Sequence, residues 1–154
     1  DFNYSEYVDK NKNRLPGKYI LVCPPSNDYE KVFGYENWLE KTTEEIKKYT
    51  DIPIKIREKK IRKTIPLIED LKNAHCTVAP ASGVSIESIF AGIPIFCSDF
   101  SPSAPVGNLD LSKINNPWFP DSKIIKKWLC HLSYCQFTLK EIKDGTAWKI
   151  LNNK

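Results

Sequence analysis

Between Cys76 and Cys97 the chain passes through an apolar run, a Pro80-Ala81-Ser82-Gly83 turn, an apolar helical segment stopped at Gly92, and a second apolar run opened by Pro94. Strand, turn, helix and strand in so short a span leave few architectures open. Such a unit is a βαβ crossover, and it places two strands parallel in one sheet. Gly92 fits its end, since glycine best accepts the left-handed conformation that follows a helix.

The flanking segments repeat the alternation. Lys18 to Cys23 is a buried strand stopped by Pro24-Pro25, which cannot continue a ladder. Pro24 to Gly34 reads as a flexible loop. Glu36 to Tyr49 is a helix with Trp38, Leu39, Ile46 and Tyr49 on its apolar side, and Ile52 to Ile56 is a second strand. Thr64 to Lys72 is a short helix with Leu67, Ile68 and Leu71 at helical spacing and Pro66 near its start. Cys76 to Ala79 and Pro94 to Cys97 are the strands of the opening unit, joined by a helix from Val84 to Ala91. Ser98 to Asn108 is a second flexible loop. Asp121 to Tyr134 is helical through Ile125, Trp128, Leu129 and Leu132. Thr138-x-x-Glu141 is a capping box that starts a last helix, which reaches Lys143 and resumes after Gly145. The expected fold is α/β, a Rossmann-like three-layer domain with a mainly parallel sheet over residues 18–154, preceded by a polar extension or linker at 1–17. The first residue is Asp1 rather than Met, which reads as a processed chain or a fragment.

Composition narrows the function classes. At 154 residues, with 41% hydrophobic and 27% charged residues, the chain is an ordinary globular domain. The net charge of +4 is mild, and most of the excess lies in Lys55-Ile-Arg57-Glu58-Lys59-Lys60-Ile-Arg62-Lys63. That run has no aromatic neighbours for base stacking, so a local phosphate site suits it better than a nucleic-acid track. The five cysteines include no C-x-x-C pair, so zinc spacing is absent and no metal is expected. Reduced, mostly buried thiols and the lack of a spanning apolar stretch point to a cytoplasmic protein without a membrane partner.

Right-handed crossovers put every strand-to-helix loop on one rim of a parallel sheet, where ligands of such sheets bind. Four features fall there. Ser82 is the expected N-cap of a helix whose first N–H groups and dipole face outward, Gly83 lets an anion approach, and Ser85 adds a hydroxyl. The same residues also serve an ordinary capped helix start. Glu87 is placed to accept hydrogen bonds from paired hydroxyls, or simply sits near a helix N-terminus. Arg57, Lys59 and Lys60 reach the end of the second strand, with Lys55 and Arg57 on the face away from the isoleucines. They form either a diphosphate site or a solvated charged face. Ser26, Asn27, Ser101 and Ser103, on the two loops, are candidate substrate contacts. Of the histidines, His75 begins a strand at the end away from the rim and His131 lies within a helix.

The pattern Gly83-x-Ser85-x-Glu87-x-x-x-x-Gly92-x-Pro94 resembles the donor-binding signature of the GT-B glycosyltransferases and the related sugar-nucleotide 2-epimerases. Trp128 to Trp148, W-L-x-H-L-x-Y-C-Q-F-T-L-K-E-I-x-x-G-x-A-W, is similar to the tail of short glycosyltransferase-like proteins of bacteriophages. So are I-L-V-C-P-P-S at Ile20 to Ser26 and R-x-K at Arg57 to Lys59. The resemblance implies the C-terminal, donor-binding half of a GT-B fold. In it Ser82, Gly83 and Ser85 would meet phosphate, Glu87 the ribose, and Arg57 with Lys59 the diphosphate. It implies a nucleotide-sugar substrate, no cofactor, and a glycan or other hydroxyl acceptor, a modified DNA base included. For a phage-encoded chain it implies the host cytoplasm. The acceptor domain, which supplies the catalytic base of inverting members, would lie upstream of Asp1, in a partner or in a second copy. Ala79 stands where retaining members carry a glutamate, so no catalytic residue is assigned. A non-catalytic nucleotide-sugar binding module is the alternative, and an epimerase relative the third choice.

Overall fold

The computed structural model describes residues 17–58, 65–134 and 136–152. Lys59, Lys60, Arg62, Lys63 and Cys135 lie outside them. Four short strands form one all-parallel sheet: β1 Tyr19–Val22, β2 Ile54–Ile56, β3 Ala74–Val78 and β4 Ile95–Phe96, in the order β2-β1-β3-β4. Helix α1 spans Asn27–Phe33, α2 Trp38–Tyr49, α3 Leu67–Leu71, α4 Gly83–Phe90, α5 Ser122–Tyr134, α6 Leu139–Lys143 and α7 Thr146–Asn152. Short 3-10 turns occupy Ala104–Val106 and Leu111–Lys113.

Strand alternation divides the core into two layers. Ile20, Val22, Cys76, Val78 and Phe96 pack with Ile46 of α2 and Ile114 on one face. Leu21, Ala79 and Ile95 pack with Leu71 of α3, Val84 and Ile89 of α4, and Ile125 and Trp128 of α5 on the other. A parallel sheet covered on both sides needs such unbroken apolar strands, and this is the three-layer α/β arrangement expected. Burial on the scale of Ile20 or Ile89, each fully enclosed, stabilises by about 1.5–3 kcal/mol per side chain.

The local signals act as their chemistry dictates. Thr138 accepts from the Glu141 N–H at 3.3 Å while its own N–H donates to Glu141 Oε2 at 2.8 Å, closing the capping box. Gly92 has φ +69 just past α4. Gly17 passes so close to the backbone of Ala74 and His75 that a Cβ would collide with it, so the folded body extends at least to this residue.

Two expectations are corrected. The segment 24–34 is not a loop, because it contains α1. Ser26 accepts from the Tyr29 N–H at 3.2 Å, Asp28 and Glu30 complement the first turn, and Gly34 closes the helix at φ +67. Lys55 and Arg57 do share the face opposite the isoleucines, but α3 covers it. Arg57 and Asp70 are each only 3% exposed, and the guanidinium binds the Asp70 carboxylate while donating to the Ile65 carbonyl at 2.7 Å. Lys55 Nζ reaches the other Asp70 oxygen at 2.7 Å.

Burial opposes ionisation of Asp70, but hydrogen bonds from Lys55 and Arg57, with their charges, outweigh it and hold its carboxyl below the usual range. Its contribution to stability is therefore complete above the unfolded Asp value near ~3.9 and is lost as pH falls through the lower folded value. Asp70→Asn should cost roughly 3–5 kcal/mol at neutral pH by leaving Arg57 buried without its counter-charge. The deficit should shrink under acid, as read by denaturant titration across the acid limb. Equal stability of the two proteins at pH 7 would contradict this.

Candidate functional site

The strand order creates a divergence between the two central strands. From β1 the chain moves outward to β2 over the face that carries α2. From β3 it moves the other way to β4 over the face that carries α4. The turns after β1 and β3 therefore part at adjacent strand ends, which is where open α/β sheets form their ligand crevice. The backbone ladder runs right up to this point. Cys23 N–H donates to Val78 O at 2.9 Å, Ala79 N–H to Phe96 O at 3.0 Å, and Ser98 N–H to Pro80 O at 2.9 Å.

On one side of the divergence stands the N-terminus of α4. Ser82 is extended at φ −160 and its hydroxyl accepts from the Val84 N–H at 3.3 Å, which makes it the N-cap. Gly83 is exposed, and a Cβ built on it would meet nothing within 4 Å. The fold does not need glycine there, and the space outside it is open. Ser85 differs from expectation: it is fully buried and its hydroxyl donates to the Ser82 carbonyl at 2.8 Å. It therefore builds the turn from within instead of facing outward. Glu87 is exposed in the second turn, outside the first turn where the helix dipole favours acids. Its carboxylate makes no hydrogen bond or ion pair among the described residues.

On the other side stand aromatic rings. Tyr29 and Phe33 of α1 lie 4.4 Å apart between centroids, and Phe33 stacks on Phe100 at 6.2 Å. Tyr35 lies 6.0 Å from both Tyr29 and Phe100, and its hydroxyl meets Ser98 Oγ at 3.1 Å. Burial, with the neighbouring Tyr35 charge, raises the Tyr29 phenol above its ordinary value. Beneath this group a cleft of about 190 Å³ opens at the ends of β3 and β4, with Trp38 and Thr42 of α2 on one side and Pro80, Ser98 and Leu109 on the other.

The structure thus brings Ser82, Gly83, Ser85 and Glu87 together at the rim. It does not bring Arg57 there as a free cation, because Asp70 holds it. Lys59 lies outside the described residues. Ser26 is the α1 cap and Asn27 the first residue of that helix. Ser101 and Ser103 are buried, the Ser101 hydroxyl accepting from the Ser103 N–H at 3.2 Å, so they order their own loop rather than open it to a ligand. His75 Nε2 lies 2.8 Å from the Ile114 carbonyl. Among the described residues no three His, Cys, Asp or Glu side chains gather as a metal site, and no helix is long and apolar enough to cross a membrane. Trp38, Thr42, Tyr35 and Ser98 were not marked as site residues by the sequence, although the i, i+4 spacing of Trp38 and Thr42 already puts them on one helix face.

The chain matches no protein-family model, no curated protein and no solved structure.

The two residues at the start of α4 should separate by mutation. Ser82→Ala should cost about 1 kcal/mol through the lost cap. Gly83→Ala should leave stability unchanged or raise it by up to about 1 kcal/mol, since alanine outscores glycine within a helix. Thermal unfolding of both variants checks this, and a destabilised Gly83→Ala would show that the turn has a steric demand absent from the structure.

Proposed function

We propose that this domain binds a nucleotide-sugar donor at the divergence of β1 and β3, for transfer of the sugar to an acceptor hydroxyl. The observation that carries the reading is the composition of that one rim: a serine-capped helix N-terminus, an open glycine beside it, and an exposed carboxylate one turn further along without a protein partner. The Gly83 N–H, which has no partner among the described residues, and the helix dipole suit a diphosphate. A carboxylate beyond them suits the paired hydroxyls of a ribose. The resemblance of Gly83 to Pro94 to the GT-B donor signature agrees with both assignments.

In this reading the catalytic contribution of the domain is electrostatic. As the bond between the sugar and the diphosphate breaks, negative charge accumulates on the departing nucleoside diphosphate, and fixed dipoles at the α4 N-terminus stabilise it. The acceptor hydroxyl loses its proton to a base supplied from outside the described residues. A binding module without turnover is the second reading. It is favoured by the placement of His75, whose ring nitrogen is engaged with Ile114 O.

UDP, GDP and CMP, tested as a panel at millimolar concentration, should include at least one ligand that raises the melting temperature. A ligand at ~100 times its dissociation constant adds about 2.7 kcal/mol. Glu87→Ala should weaken that ligand about tenfold, or ~1.4 kcal/mol, while the variant unfolds at the wild-type temperature. A flat response across a full nucleotide panel at millimolar concentration would refute the sugar-nucleotide reading. Binding with no release of free sugar or transfer from the matching nucleotide sugar would favour the module.

A further inference from the structure

One polar side chain that lines the cleft at the ends of β3 and β4 has no hydrogen-bond partner among the described residues. Thr42 is 7% exposed and lines the cleft. Its neighbour Thr43 returns its hydroxyl to the Leu39 and Glu40 carbonyls, but the Thr42 hydroxyl has no hydrogen-bond partner among the described residues. A buried hydroxyl left so is unfavourable unless something fills the space in front of it. Trp38 stands one helical turn before it on the same face of α2, and Pro80, Phe96, Ser98 and Leu109 line the remaining walls.

Size and lining select the occupant. At about 190 Å³ the cleft is smaller than the roughly 300–1,000 Å³ of sites that enclose a whole drug-sized ligand, so it suits one ring system and not a complete sugar nucleotide. A pyranose carries hydroxyls around its ring and would leave most of them unmatched against Trp38, Phe96 and Leu109. A planar heterocycle buries two apolar faces and keeps its hydrogen-bonding atoms at the edge, and an indole is a favourable neighbour for it. The cleft also adjoins the α4 turn. Pro80 forms part of its wall, and Ser82 follows two residues later, a separation of at most about 7 Å along the chain.

We propose that the cleft between Trp38 and Thr42 is a nucleobase site, in which Thr42 Oγ1 hydrogen-bonds the base edge beside the Trp38 ring. The proposal rests on the nucleotide reading of the Ser82–Glu87 turn. A hydroxyl both donates and accepts, so Thr42 anchors a base without dictating which one.

The test titrates wild type and Thr42→Val with the four ribonucleosides, their diphosphates and inorganic pyrophosphate. It follows binding by calorimetry and the Trp38 indole N–H resonance by NMR, assigned with Trp38→Phe. The expected result is that the tightest diphosphate moves the Trp38 resonance, and that Thr42→Val weakens it about five- to tenfold. Pyrophosphate affinity should be unchanged, and the variant should melt no lower than wild type. A diphosphate that binds wild type but leaves Trp38 unmoved overturns the base site and spares the nucleotide reading; so does one bound equally by a folded Thr42→Val. Free nucleosides that move Trp38 while no diphosphate or pyrophosphate binds support the cleft and overturn the reading of the turn. If no probe moves Trp38 or binds, both fail.

Discussion

The pairing of β1 with β3 is the constraint on which the rest of the molecule depends. These strands are neighbours in the sheet but not in sequence, and the chain leaves them in opposite directions. Their alternation assigns Ile20 and Val22 to the α2 layer and Leu21 to the α4 layer. A slip of one residue would exchange those layers and bury the wrong faces. The shift in register between Tyr19 and Ile20, next to the tight passage of Gly17 over Ala74 and His75, starts the pairing in phase. Everything at the rim follows from this: the turn ending at Ser82, the turn leading to α1, and the crevice between them.

Charge is distributed differently from what a phosphate-binding surface first suggests. The edge strand β2 has only three residues. It is held partly by Val22 O accepting the Arg57 N–H at 2.9 Å, and partly by the pairing of Lys55 and Arg57 with Asp70. A buried carboxylate with two cations secures α3 against the sheet, and Tyr19 adds a hydrogen bond to the Asp70 carbonyl at 2.7 Å. Arg57 therefore serves the architecture. In the function proposed above, anion recognition falls to the Gly83 N–H and the dipole at the start of α4, where orientation matters more than formal charge.

Much of the fold could be read from the sequence because its signals are local. Apolar runs bounded by Pro24-Pro25 and by Pro80 marked strands, Thr138 and Glu141 marked a helix start, and Gly92 a helix end. Local chemistry was misread once, at Ser26, whose capping role was hidden by two preceding prolines that suggested a loop. The remaining differences are tertiary. Nothing near Arg57 in sequence announces that Asp70 of α3 will pack onto the same face of the sheet and meet it. Nor does a Ser/Pro-rich segment reveal that Ser101 and Ser103 turn inward. Ser85 looked like a ligand contact by its position in the turn, and only packing against the sheet shows that it faces inside. The orphan hydroxyl of Thr42 was illegible for the same reason, since an unpaired atom can be recognised only once its surroundings are known.

The central claim is that the divergence of β1 and β3 is a nucleotide site, and chemical-shift mapping with a nucleoside diphosphate tests it most directly. In a backbone-assigned ¹H–¹⁵N spectrum, the largest changes should fall on Ala81 to Glu87, with His75 at the start of β3 and Gly92 past the end of α4 unmoved. Changes concentrated elsewhere, or none at saturating ligand, would contradict it.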